Sequence, residues 1–218
     1  MKYRLEWYYQ LPKGKKSFFM KSEMINLGEA LLLTSDLEKT GRLKSIEYYD
    51  EKDRFWSKKE LEKLSKVEET EPKDIIIYVD GGFDAQKKIA GIGIIIHFKQ
   101  HNKAWRIRHN EQMNYLSDNN EAELAAMFQS MALLEEIGAT HQSIIIRSDS
   151  KVATHQASGK WPCYEDHYNA WLDRLDKKKA ALNIEIVFEE IDRKENKEAD
   201  HLATQALSGV KVSAKKQL

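Results

Sequence analysis

The first residues of the chain alternate: Met1, Tyr3, Leu5, Trp7 and Tyr9 are apolar or aromatic, and charged Lys2, Arg4 and Glu6 fall between them. A period of two turns one set toward a covered face, so the segment predicts a half-buried strand. "LPKGKK" supplies a turn and "SFFMKSEM" a partner strand. From Asn26 the spacing becomes helical, with Leu27, Ala30, Leu31, Thr34 and Leu37 on one stripe and Gly41 where a left-handed terminating residue is expected. "RLKSIEYYD" and "DRFW" read as a short hairpin, and Ser57 can cap a helix over "KKELEKLSKV". Residues 1–66 thus form a small N-terminal α+β domain, ββαββα-like. The charged "VEETEPKD", which carries Pro72, interrupts the periodicity and predicts a linker over 67–73.

Three strand-like segments follow, Ile75 to Asp80, Gly91 to Phe98 and Trp105 to Met113, with short connections that suggest an antiparallel meander. "NNEAELAAMFQSMALLEEIG" is a helix with an Asn N-cap and Gly138 at its end. "SIIIRSD" is a buried strand leading into helical "SKVATHQASG". A further helix spans residues 165–182, "IEIVFEEI" is a fifth strand, and "NKEADHLATQAL" is a closing helix. Strands separated by a helix are usually parallel through a right-handed crossover. Residues 74–208 therefore predict an α/β domain, a five-stranded mixed sheet flanked by helices. The aperiodic, basic residues 209–218 are expected to be a mobile tail with weak phosphate affinity.

Composition narrows the function. Lys+Arg 35 balances Asp+Glu 35 across 218 residues, so net charge casts no vote for nucleic acid. One cysteine, Cys163, excludes an internal disulfide framework. The amino terminus lacks the apolar run of a signal peptide, and "IAGIGIII" is far short of the roughly 18 residues of a membrane span. A cytoplasmic monomer without a membrane segment is expected. The seven histidines have no metal-ligand spacing with the cysteine, which disfavours zinc. There is no GxxxxGK[ST] phosphate loop, and "GIGIII" lacks the third glycine and following helix of a dinucleotide fingerprint, so no nucleotide cofactor is expected. In the small domain, Trp7, Tyr8, Phe19, Lys15, Lys16 and Lys21 suit either a small core with a solvated lysine turn or a stacking and phosphate-binding platform.

Sites in such sheets form outside strand ends and at neighbouring helix starts. Four acids fall there. Asp80 ends the first strand of the larger domain and Asp149 the fourth. Glu123 begins the helical stripe continued by Met127, Ser130, Leu134 and Ile137, whereas Glu121 and Glu135 sit off it. Asp200 precedes Ala203, Thr204 and Leu207 on one face of the last helix. Each acid could singly cap a turn or complement a helix dipole. Together they would repel, by roughly 4 kcal/mol for a pair about 4 Å apart at an effective dielectric of 20. Such a cluster needs cations or raised pKa values, and hard oxygen ligands without His or Cys favour Mg²⁺ or Mn²⁺.

The order "YVDGG", "NNEAEL", "RSDS", "RKENKEADHLA" resembles ribonuclease H of type 1, over about Asp74 to Leu207. The whole chain is also similar to ribonuclease H-like proteins of Bacillus-type bacteria that carry an extra N-terminal domain. The resemblance implies cleavage of the RNA strand of an RNA/DNA hybrid with two divalent ions per site. It implies that Asp80 bridges both ions, that Asp149 and Asp200 hold the one activating water, and that Glu123 holds the other. Two ions about 3.5 to 4 Å apart would clamp the attacking and leaving oxygens. Substrate contacts are implied at Gly81, where a missing side chain admits a sugar edge, at Asn119 and Asn120 in the minor groove, and at Asn196.

Two departures matter. Many members of that family have a mobile histidine in the loop before the last helix; here "EEIDRKEN" has none, with Glu190 or Arg193 as stand-ins. The basic protrusion that some use to grip the hybrid shrinks to "KWPCY", so the N-terminal domain becomes the expected source of affinity. The leading expectation is a hybrid-specific endonuclease. The alternatives are a catalytically weak ribonuclease H-like module that binds nucleic acid or a partner, and a 3′-5′ exonuclease, whose paired acids one residue apart "VDGGFD" lacks. Asp84 is expected to be a turn residue.

Overall fold

The computed structural model describes residues 1–12 and 16–218; the middle of the turn expected at "LPKGKK", with Lys15, lies outside the described residues. The chain divides into two compact units, Met1–Thr70 and Glu71–Leu218.

In the first unit, β1 (Lys2–Gln10), β2 (Ser17–Lys21), β3 (Ile25–Asn26), α1 (Leu27–Lys39), β4 (Leu43–Asp50), β5 (Phe55–Trp56) and α2 (Lys58–Thr70) follow in order. The antiparallel sheet runs β2-β1-β4-β5, with β3 on β1. The period of two is realised directly: Tyr3 and Leu5 are fully buried against Leu27, Ala30, Tyr48 and Leu61. A capping box starts α1, in which Asn26 Oδ1 accepts from Glu29 N at 2.9 Å and Asn26 N donates to Glu29 Oε2 at 3.0 Å. The segment expected as a linker is mostly regular structure. "VEET" contains no helix breaker, so α2 continues to Thr70, stops before Pro72, and the next strand begins at Lys73.

The second unit contains β6 (Lys73–Asp84), β7 (Ile89–Gln100), β8 (Lys103–Asn114), α3 (Asn119–Glu136), β9 (Ser143–Ser148), α4 (Lys151–Ala157), α5 (Asp166–Leu182), β10 (Glu185–Glu190), α6 (Lys197–Leu207) and β11 (Ser213–Gln217). The mixed sheet is ordered β10-β9-β6-β7-β8-β11, with β9 parallel to β10 and β6 and the other pairs antiparallel. It has six strands rather than five. The supposed mobile tail pairs with β8 from Ser213 opposite His109 to Gln217 opposite Trp105. Its exposed side chains give no burial periodicity to read, because an edge strand is held by backbone bonds.

One face of the sheet, including Ile77, Val79, Ile92, Ile94 and Ile96, forms the main core with Met127, Met131 and Leu134 of α3 and Trp171 and Leu175 of α5. The other face receives α6 through Ile95, Ala199 and Leu202. "GIGIII" serves this second contact. A Cβ on Gly91 would lie 2.3 Å from Ala203 O, and one on Gly93 2.1 Å from Ala199 O. Glycines there let α6 lie directly on β7, and Gly93 is the register partner of Asp80.

Candidate active site

Asp80 lies inside β6 rather than at its end, since that strand runs on to Asp84, paired with Ile89. What ends near Asp80 is the neighbour: β9 stops at Ser148, and its last pair with β6 is Tyr78 opposite Arg147. The sheet opens there, and a carboxylate on the longer strand faces the gap. Asp149 follows Ser148 directly, in the turn closed by Ser150, whose Oγ accepts from Ala153 N at 3.3 Å to cap α4. Glu123 comes from the first turns of α3. The Ser148 hydroxyl donates to Glu123 Oε2 at 3.2 Å while accepting from Ser150 N at 2.9 Å, and the Gly81 N–H also bonds the Glu123 carboxylate.

One carboxylate oxygen from each of Asp80, Glu123 and Asp149 lies within 4.8 Å of the others. Burial, then the charges of Asp149 and Asp200, push the Asp80 pKa up to about 7. Burial, Asp80 and Asp149 raise the Glu123 carboxyl well above the carboxylate range, against the opposing bonds from Ser148 and Gly81. These are the electrostatics of acids packed without their counter-charge. An all-oxygen donor set of this kind fits hard divalent cations such as Mg²⁺ or Mn²⁺.

Asp200, in the first turn of α6, stands outside this group of three, although its charge acts on Asp80. Its Oδ1 accepts from Arg193 Nη2 at 3.2 Å.

The expected substrate contacts divide. Asn196 is only 1% exposed, so it does not face a substrate; its Nδ2 donates to Asp149 Oδ1 at 2.6 Å and to Val79 O at 2.9 Å. It ties the start of α6 to β6 and to the turn that follows β9. Gly81 also has a packing reason, because a Cβ there would lie 2.3 Å from Ala122 C and 2.4 Å from Glu123 N. Asn119 is exposed and Asn120 half-buried. The cap of α3 is Asp118, whose carboxylate accepts from Glu121 N at 2.9 Å, rather than an asparagine. Glu121, off the sheet-facing stripe, is nonetheless buried, accepting from Ser117 N at 2.7 Å and Trp171 Nε1 at 3.0 Å. Asp84 accepts from Gln86 N and Lys87 N, both at 3.0 Å, and closes the β6–β7 turn. Ser148 is the site residue that sequence reasoning missed; its one signal was its place immediately before a strand-ending Asp.

The strand order, the helices on both faces and the acids at the opening between β6 and β9 define a ribonuclease H-like fold. Among solved structures, the chain is similar to ribonuclease H1 from the archaeon Halobacterium salinarum NRC-1, with 20% identity and a TM-score of 0.51 over 62% of this chain and 98% of that one. The N-terminal ribonuclease H domain of Rv2228c from Mycobacterium tuberculosis matches with 22% identity and a TM-score of 0.52, covering 62% and 94%. LC11-RNase H1 in complex with an RNA/DNA hybrid matches with 23% identity and a TM-score of 0.53, covering 62% and 98%. The chain belongs to the reverse transcriptase-like family, whose model matches residues 78–206. The uncharacterized protein YpeP of Bacillus subtilis (strain 168) is 38% identical over 195 residues, 89% of this chain and 85% of that protein.

Proposed function

We propose that the protein is a divalent-metal-dependent endonuclease that hydrolyses the RNA strand of RNA/DNA hybrids. The observation carrying this reading is the set of three acids, of which the two buried ones, Asp80 and Glu123, have raised pKa values, as acids packed without a counter-charge do. A ribonuclease H1 of the same fold is known in complex with such a hybrid, which supports the substrate class.

In this reading Asp80, Glu123 and Asp149 hold two ions, with Asp200 completing the set once it leaves Arg193. Bound there, Mg²⁺ or Mn²⁺ supplies an acidified attacking water and charge neutralisation at the leaving oxygen. The chain's own residues set the geometry. Asn196 fixes Asp149, while Ser148 and Gly81 fix Glu123. Asn119 and Asn120, at the start of α3, meet the minor groove, where 2′-hydroxyls separate RNA from DNA.

A second reading, a ribonuclease H-like module of weak activity, is favoured by one observation: Asp200 is engaged by Arg193 and outside the group of three. Cleavage of labelled hybrid, duplex RNA and duplex DNA with Mg²⁺ and with Mn²⁺ decides between them. Hybrid cleavage that Asp149→Asn reduces at least a hundredfold is expected. No cleavage with either ion, or full activity in the variant, sinks the nuclease.

A further inference from the structure

The sheet edges of this chain are mostly guarded against further pairing. β11 carries Lys215 and Lys216 along its exposed length, β10 carries Glu185, Glu189 and Glu190, and β3 and β5 are only two residues long. β2 is different. Its sequence is "SFFMK", and Phe18, Phe19 and Met20 are 40%, 54% and 46% exposed. They lie on both faces of the strand. Phe18 and Met20 stand beside Tyr9 and Trp7 on the side of the core, and Phe19 stands beside Tyr8 on the other side, the two rings meeting edge-on at 5.6 Å. The one charge within β2, Lys21, is at its end and 3.5 Å from Glu6 Oε1. A ligand laid on one face would leave the other uncovered, whereas a strand added at the edge covers both.

The backbone of β2 suits such an addition. The Ser22 N–H bonds Leu5 O at 2.9 Å, and in an antiparallel ladder the bonding pairs alternate. Ser22, Met20 and Phe18 therefore turn their N–H and C=O groups to β1, while Lys21, Phe19 and Ser17 turn theirs outward. Outward residues spaced evenly about Phe19 fit a second copy of the same strand, run antiparallel with Phe19 on the two-fold axis. Ser17 of one copy then meets Lys21 of the other and Phe19 meets Phe19, all through residues whose bonding groups are free. Phe18 meets Met20 on the core side. No lysine is set against a lysine. On the opposite face Tyr8, Phe19 and their counterparts form one row of rings across the joined strands.

We infer that β2 is the interface of a two-fold dimer of this chain, in which two N-terminal sheets join edge to edge. A foreign strand would have to bring apolar side chains to both faces and keep its charges off the lysines; the second copy already does both. Each copy offers one such edge and the contact is the same patch on both sides, so assembly closes at two. The inference is independent of the nuclease reading, and it sets a dimer in place of the monomer expected from the sequence.

Sedimentation equilibrium of the full chain tests it. The weight-average mass is expected to climb from 25.4 kDa toward twice that value as concentration rises from about 1 to about 100 μM, by mass action. Phe19→Lys sets lysine against lysine on the axis and should raise the dimer Kd by roughly tenfold or more, whereas Leu32→Lys, at an exposed apolar site on α1, should leave it unchanged. The register is read separately, by cross-linking Ser17→Cys and Lys21→Cys chains, both in a Cys163→Ser background, with a short bis-maleimide. Because those two positions face each other only across the axis, the mixture is expected to cross-link at least about fivefold faster than either chain alone. A monomer at every concentration overturns the inference, and so does a mass that grows past twice the chain. So does a dimer untouched by Phe19→Lys, or equal cross-linking in mixed and single chains.

Discussion

Asp80 carries the clearest pH signature in the molecule. Its folded pKa of about 7 lies well above the ordinary aspartate value of about 3.9, so the unfolded chain releases the proton first as pH rises. Stability from this group is fully present below pH 4, is lost on the way to pH 7, and stays lost above it, on the order of 4 kcal/mol in all. His97 and His109, whose pKa values burial lowers, act in the opposite sense, losing stability as pH falls. The comparison must therefore be made against Asp80→Asn. Melts in EDTA are expected to show the variant gaining over the wild type between pH 4.5 and 7.5; a constant difference would refute the assignment. Mn²⁺ should raise the wild-type Tm more at pH 7.5 than at pH 5, because ions and protons compete for the same oxygens. Asn196 yields a separate prediction. Asn196→Ala removes a donor to a carboxylate, a bond of about 1.5–3 kcal/mol, and should lower hybrid cleavage at least tenfold along with a reduced Tm. Unimpaired cleavage would show that Asp149 needs no such support.

Among the elements, the seat of α6 on β7 matters most for the site. Gly93→Ala drives a Cβ toward Ala199 O, and overpacking of this kind costs about 1–3 kcal/mol. Because Ala199 precedes Asp200, hybrid cleavage should fall by more than stability explains. Gly28→Ala in α1, where only Asn26 Oδ1 lies at 3.4 Å, is expected to be neutral or stabilising in the same melts. Equal effects of the two would remove the argument for the glycine seat. The same glycines mark what could be read in advance. The stripe from Glu123 through Met127 and Leu134 was legible because burial follows a helical period. "GIGIII" looked like part of a failed nucleotide fingerprint because the reason for its glycines lies in a helix more than a hundred residues later. The acids were legible from the places expected of them at strand ends and helix starts, although β6 runs on past Asp80 to Asp84, whereas the bonds of Asn196 could not be read because its partners, Val79 and Asp149, are distant in sequence. β11 escaped for a different reason, since side chains exposed along its whole length leave no pattern. Ending the chain at Val212 should preserve the acid cluster but uncover the β8 edge, with light scattering rising at lower temperature during a melt.

Across the whole molecule, neutrality hides a division. Of the 35 basic and 35 acidic side chains, residues 1–70 hold 15 and 13, a net +2, leaving 20 and 22, a net −2, for residues 71–218. The unit with the acid cluster is thus slightly repelled by the polyanion proposed as its substrate, and it has only "KWPCY" in place of a basic grip. Attraction must then come from bound cations, which act at the cluster itself, or from the N-terminal unit, whose net charge is positive. These sources separate kinetically. The fragment 71–218 contains the complete main core and every carboxylate of the site, so its kcat on hybrid should stay within about threefold of the full chain, roughly 0.65 kcal/mol of barrier. Its KM should rise tenfold or more, and kcat/KM should fall less steeply with salt, because fewer counterions are released on binding. A fragment with the KM and salt slope of the full chain would assign the grip to residues 71–218, despite their net charge.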